Sequence, residues 1–227
     1  MNDYKDRIWE ILGLRYKSHP WHGVNIGADA PEILTAFVEI VPIDTVKYEI
    51  DKESGYLKID RPQKFSNIVP ALYGFIPQTY CNEEVATLCA ERTNRSGIVG
   101  DKDPLDICIL TERNITHGNI LVQAIPIGGF RLIDGGEADD KIIAVMKGDE
   151  VYKSWDDISK CPESIVKRLE HYFLTYKDIP GVQSKRCEIT HIYDRKEALE
   201  VINKSREDYH KAYGNIEEVL SKLFLGR

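Results

Sequence analysis

Apolar positions along the chain follow two periods, and the switch between them divides the sequence. Near the start, Ile8, Ile11 and Leu12 share one side of a helix expected from Asp3 to about Leu14. Gly13 and the stretch SHPWHG break that pattern. His19 and His22, with Pro20 between them and Gly23 after, read as a turn and are assigned no chemistry. From Phe37 the period shortens to two. TAFVEIVP leads into VKYEIDKESGYLKIDR, where Val46, Tyr48 and Ile50 alternate with Lys47, Glu49 and Asp51 and the chain turns through Glu53, Ser54 and Gly55. That is a hairpin with one wet face.

Further strands are expected at Ala71 to Ile76, Leu105 to Leu110, Ile120 to Ile127, Phe130 to Ile133 and Lys141 to Val145, each bounded by Gly, Pro or Asp. The helical period returns in PESIVKRLEHYFLTYKDIPG, where Ile165, Leu169, Tyr172, Phe173 and Tyr176 line one face between Pro162 and Pro180. A last helix is expected from roughly Arg195 to Phe224, broken near Gly214. Between them, CNEEVATLCAERTNRSGIVG is polar, without clear period, and reads as a long surface excursion. Short punctuated strands of this kind predict an antiparallel barrel or sandwich.

Composition narrows the partners. The 227 residues are 42% hydrophobic, enough for one substantial core, and one large domain is favoured over two small ones. With 37 acidic against 30 basic residues, a net charge of -7 and no basic run, neither nucleic acid nor an anionic membrane surface is an expected partner. The N-terminus lacks the apolar core of a secretory signal, and no segment has the length to span a bilayer, so a cytoplasmic protein is expected. Five widely spaced cysteines without a CxxC suggest reduced thiols rather than disulfides or a zinc knuckle.

The chemistry is concentrated in GDKDPLDICIL. Asp101, Asp103 and Asp106 repel one another beside a buried strand. A straight strand would send Asp106 to the face opposite the other two. Pro104 prevents a straight run, and a loop curling at Lys102 to Pro104 brings all three toward one point, where a divalent cation offsets the repulsion. Oxygen ligands alone favour Mg, Ca or Mn over zinc. An EF-hand loop counted from Asp101 fails, because Asp106 occupies the position that needs glycine and a strand follows instead of a helix. RLIDGGEADDKIIAV supplies a second acidic loop with Asp134, Glu137, Asp139 and Asp140. Together with Glu39 and Glu49 these carboxylates exceed the needs of one ion. Lys47, Arg61, Lys141, Tyr73, Tyr176 and Lys177 stand at strand or helix ends and offer groups that hold phosphate oxygens.

The series EIVP, VKYEIDKESG, IDR, YGFI, GDKDPLDICIL, LIDGGEADDKIIAV and HYFLTYKD resembles the soluble family I inorganic pyrophosphatases from about Phe37 to Asp178, with a longer layout like that of chlamydial-type members. The resemblance implies a five-stranded OB-like antiparallel barrel flanked by helices, hydrolysing pyrophosphate with several Mg ions, Mn being a possible substitute. It implies that Asp101, Asp106 and Asp139 hold the tightest ions, with Asp134, Glu39 and Glu49 helping to place others. Asp103 is then the general base, Lys47, Arg61, Lys141, Tyr176 and Lys177 bind phosphate, and Tyr73 lines the site. Val69 and Leu72 stand where the family often has tyrosine and asparagine, so phosphate should be held more weakly than by a Val69→Tyr variant. Residues 1–36 form an N-terminal extension, 80–100 an insertion and 181–227 a helical tail of one domain, and a homo-oligomer is expected.

Two other classes fit part of the pattern. A non-catalytic OB-like module could hold a polyphosphate or nucleotide with the same basic residues, but it has no need of Asp103. A calcium buffer would bind its ion tightly without substrate.

Overall fold

The computed structural model describes residues 16–178 and 187–214, together with Lys222. The expected opening helix from Asp3 to Leu14 lies outside the described residues. Five strands close on themselves: β1 (Leu34–Ile40) pairs with β4 (Leu72–Phe75), β4 with β6 (Asp106–Leu110), β6 with β9 (Lys141–Met146), β9 with β7 (Ile120–Asp134), and β7 with β1. The β6 and β9 pair is parallel while the other four are antiparallel. An odd ring cannot alternate direction throughout, so one parallel pair is a geometric necessity of closing five strands. β2 (Val46–Ile50) and β3 (Leu57–Pro62) form the expected separate hairpin. Short strands β5 (Val99–Gly100) and β8 (Glu137–Ala138) pair with each other beside β7.

The unbroken apolar runs of β6 and β9 are explained by burial on both faces. Ile107, Ile109, Ile142 and Ala144 join one cluster with Val85, Leu88, Val201 and Ile202. Cys108, Leu110, Ile143 and Val145 join another with Leu169 and Phe173. The first is covered by α1 (Glu83–Thr93) and α3 (Arg195–Tyr213), the second by α2 (Glu163–Thr175). All five cysteines are free and buried in these clusters. Gly74 sits where β4 crosses β1 so closely that a Cβ would lie 1.9 Å from the Phe37 carbonyl oxygen. Any side chain there would push the two strands apart.

Three expectations change. The stretch from Tyr80 to Gly100 is not a surface excursion: it contains α1, which buries Val85, Ala86, Leu88 and Cys89. Its N-terminus is capped from a distance, as the Asp208 carboxylate of α3 accepts from the backbone N–H groups of Asn82, Glu84 and Val85 at 2.9 to 3.1 Å. The two strands expected at 120–127 and 130–133 are one, β7, because Gly128 and Gly129 continue the strand. A Cβ on Gly129 would stand 2.4 Å from the Tyr193 ring. Among the described residues of the stretch expected as a helical tail, the first element is a strand, β10 (Cys187–Asp194), paired antiparallel to β7. α3 follows it and ends at Gly214, where φ is 66°, and the remainder of the expected last helix lies outside the described residues apart from Lys222.

Candidate active site

Strand register assembles the site. The parallel β6 and β9 pair sets Asp106 beside Lys141, and the antiparallel β4 and β6 pair brings Tyr73 close enough for its hydroxyl to donate to Asp106 Oδ2 at 2.6 Å. Lys141 Nζ donates to both Asp106 Oδ2 and Asp139 Oδ1. The loop before β6 curls as its sequence demands: Lys102 takes a positive φ of 62°, Asp101 Oδ1 accepts the Asp103 N–H at 2.9 Å, and the Asp103 carbonyl accepts from Cys81 N at 2.9 Å. The strand then starts at Asp106 rather than at Leu105. Asp101, Asp103 and Asp106 therefore open into one cavity of about 230 Å³.

The same cavity is lined by Glu39, Lys47, Glu49, Tyr73, Asp134, Asp139, Lys141, Tyr176 and Lys177, so every site residue read from the sequence borders it except Arg61. Arg61 is the cross-strand partner of Lys47 and pairs with Asp60, which also lies 3.3 Å from Lys47 Nζ. α2 delivers Tyr176 and Lys177 at its C-terminal end, where Lys177 contacts Asp134. Glu39 enters from β1 and accepts the Ile50 N–H at 2.7 Å. Val69 and Leu72 are fully buried in the core and do not line the cavity.

Sequence reasoning passed over Lys52, whose ammonium contacts Asp103 and whose carbonyl lies 3.2 Å from His19 Nε2. It also left Glu137 unassigned, and Glu137 lines the cavity. A lysine at a hairpin turn carries no signal of its own, because only the docking of the β2 and β3 hairpin against the loop before β6 brings Lys52 to Asp103.

The electrostatics are those of an acid pocket short of positive charge. Eight carboxylates and four ammonium groups line the cavity. Burial, with the Asp106 charge adding to it, pushes Glu39 up to about 8. Burial and the neighbouring Asp139 push Asp101 up to about 9. Asp139 is also raised, by burial first and against the pull of Lys141. Burial alone would lower the Lys141 ammonium, but Asp106 and Asp139 outweigh it and hold it well above the ordinary range. Ionising these acids together requires more cation than the lysines supply.

A sequence model of the inorganic pyrophosphatase family matches residues 36–210. The chain belongs to that family. The match continues past Asp178 through β10 and into α3. Inorganic pyrophosphatase of Chlamydia muridarum is 54% identical over 195 residues, 84% of this chain and 93% of that protein. Soluble inorganic pyrophosphatase of Zea mays is 37% identical over 76% of this chain and 72% of its own length. The crystal structure of inorganic pyrophosphatase from Thermus thermophilus superposes with a TM-score of 0.70 at 28% identity, covering 85% of this chain and 98% of that one. As an inorganic pyrophosphatase the chain is an enzyme that hydrolyses pyrophosphate to two orthophosphates, and the family implies a divalent metal cofactor. The donor set fits such an ion, being all carboxylate oxygen with unmatched negative charge. Among the described residues no three ligands already stand in a metal-centre arrangement, since lysine ammonium groups lie between the acids.

Proposed function

We propose that pyrophosphate hydrolysis in this protein depends on several Mg ions held by Asp101, Asp106 and Asp139, with Asp134, Glu39 and Glu49 helping to place them. The observation that carries this reading is the meeting of Asp106, at the start of β6, and Asp139, in the gap before β9, on the single Lys141 ammonium in a cavity that Asp101 also lines. Bound divalent ions supply neutralisation of the pyrophosphate charge and a water made acidic enough to lose its proton near neutrality. Asp103 accepts that proton. Its side chain is 42% exposed, against 23% for Asp106, and is therefore reachable by a water in the cavity.

Lys47, Lys141, Lys177, Tyr176 and, from its place across the hairpin from Lys47, Arg61 hold the phosphoryl oxygens and the charge that grows on the leaving phosphate. Tyr73 keeps its hydroxyl neutral, since burial and then Asp106 raise it well above the ordinary phenol range, and so it stays a donor to Asp106. Holding nucleophile and phosphorus in line removes on the order of 7 to 11 kcal/mol of barrier, the range for well-oriented reactants.

The chain is further proposed to act as one domain, as a homo-oligomer and in the cytoplasm. Exposed Tyr56, Ile59 and Phe65 on and after the hairpin leave apolar surface for a second copy to cover, and no helix among the described residues is long and apolar enough to cross a membrane. Phosphate release from pyrophosphate and Mg by the purified protein, and its loss in Asp103→Asn, test the catalytic reading. Release by Asp103→Asn at the parental rate removes Asp103 as the base.

A further inference from the structure

Asp140 stands between two residues of the cavity, Asp139 and Lys141, yet does not line it. Its side chain is fully buried, and Oδ2 accepts from Arg131 Nη1 at 2.7 Å. Arg131 is itself fully buried in β7. Its Nη2 donates to Glu197 Oε1 at 2.7 Å in the first turn of α3, and its guanidinium lies 5.1 Å from the centroid of the Tyr193 ring.

The backbone around Asp140 explains why a side-chain anchor would matter. The β7 and β8 ladder ends with Ala138 opposite Ile133, and the β7 and β9 ladder begins with Lys141 opposite Phe130. Asp139 and Asp140 fall in the gap, where one backbone bond, from the Asp139 N–H to the Leu132 carbonyl at 3.0 Å, holds the chain to β7 and neither ladder sets the Asp140 side chain. A buried ion pair is a poor way to gain stability, since apolar side chains of similar volume serve as well or better. A planar guanidinium that spans two carboxylates does fix position.

We propose that the Arg131 and Asp140 pair is a positioning device for the catalytic cavity. Pinned from behind, Asp140 sets the rotation of the backbone on either side of it, aiming Asp139 and Lys141 toward Asp106. Glu197 couples that aim to the seating of α3. The inference rests on Asp139 being a cation ligand, as read above.

The test is titration of Mn into the substrate-free protein, followed by electron paramagnetic resonance, beside the Mg concentration for half-maximal turnover. Asp140→Asn is expected to weaken Mn binding and raise the Mg requirement about tenfold or more, the usual effect of losing a group that orients a metal ligand, with KM for pyrophosphate at saturating Mg little changed. Arg131→Met with Asp140→Leu removes both members of the fully buried pair, leaves Glu197 with Arg92 at 3.8 Å, and is expected to show the same loss while folded. Arg131→Lys keeps the charge but cannot span both carboxylates, and an intermediate loss is expected. Parental Mn affinity and Mg requirement in whichever of these variants folds overturn the proposal, leaving the pair a purely structural contact. Asp139→Asn is titrated in parallel. If it also binds as the parent does, the assignment of Asp139 is what fails, and this proposal falls with it.

Discussion

Asp106 at the start of β6 and Asp139 in the gap before β9 reach the same ammonium, that of Lys141. Two acids that far apart in sequence meet only because the ring is closed by the parallel pairing of β6 with β9. Replacing either with asparagine removes a negative charge from the cavity while keeping its shape. Each variant is expected to need at least about tenfold more Mg for half-maximal turnover. A requirement equal to the parent's in both would contradict their role as ligands.

Asp103 has a different task, and its loss should look different. Asparagine cannot accept a proton, so Asp103→Asn is expected to lower kcat on the order of 10²–10⁴-fold, the usual worth of a general base. Mg affinity measured without substrate should stay near parental. A variant that loses Mg binding in step with turnover would make Asp103 a ligand instead.

Cation binding also stabilises the fold, because the unfolded chain has no assembled cavity. At Mg concentrations about 100 times its dissociation constant, a single site adds about 2.7 kcal/mol. Differential scanning calorimetry with Mg and with a chelator should show a higher Tm in Mg. Coincident transitions would argue that no described cavity gathers the ion.

His22 gives a pH dependence that is separate from the site. Burial, with His19 nearby, lowers it from 6.5 to about 4, and its Nδ1 lies 2.8 Å from the Tyr209 hydroxyl. Between pH 6.5 and 4 the unfolded chain binds a proton that the folded chain refuses, so stability falls as pH drops through that window and is unaffected by His22 above it. His22→Gln is expected to flatten the fall of Tm between pH 7 and 4. Parallel Tm profiles for parent and variant would contradict this.

Asp208 tests the link between the last helix and α1. Asp208→Ala leaves three backbone donors at the start of α1 without their acceptor, and it is expected to cost about 2 kcal/mol. Urea unfolding measures the difference, and an unchanged midpoint would contradict the cap.

Much of this was legible in the chain because it is written locally. The alternation of β2, the apolar runs DICIL and KIIAV, and the helical face of α2 each declare themselves within a few residues. The curl of GDKDPLD follows from Pro104, which denies a straight strand through the three aspartates. What escaped depends on contacts distant in sequence. α1 looked like loop because its cap comes from Asp208 and its apolar stripe, Val85, Leu88 and Cys89, is short within a polar segment. The length of β7 was hidden by two glycines that serve the packing of Tyr193. Asp140 read as one more acid in an acidic loop, and only its partner, Arg131, separates it from its neighbours.

The central claim is that Asp101, Asp106 and Asp139 enclose one pool of divalent ions. A crystal structure grown with Mn and phosphate, with anomalous difference maps, tests it most directly. Peaks about 2.0 to 2.3 Å from carboxylate oxygens of all three residues are predicted, with phosphate on the lysine side of the cavity. Peaks bound elsewhere, with these three carboxylates still held by Lys141, Tyr73 and the backbone, would contradict it.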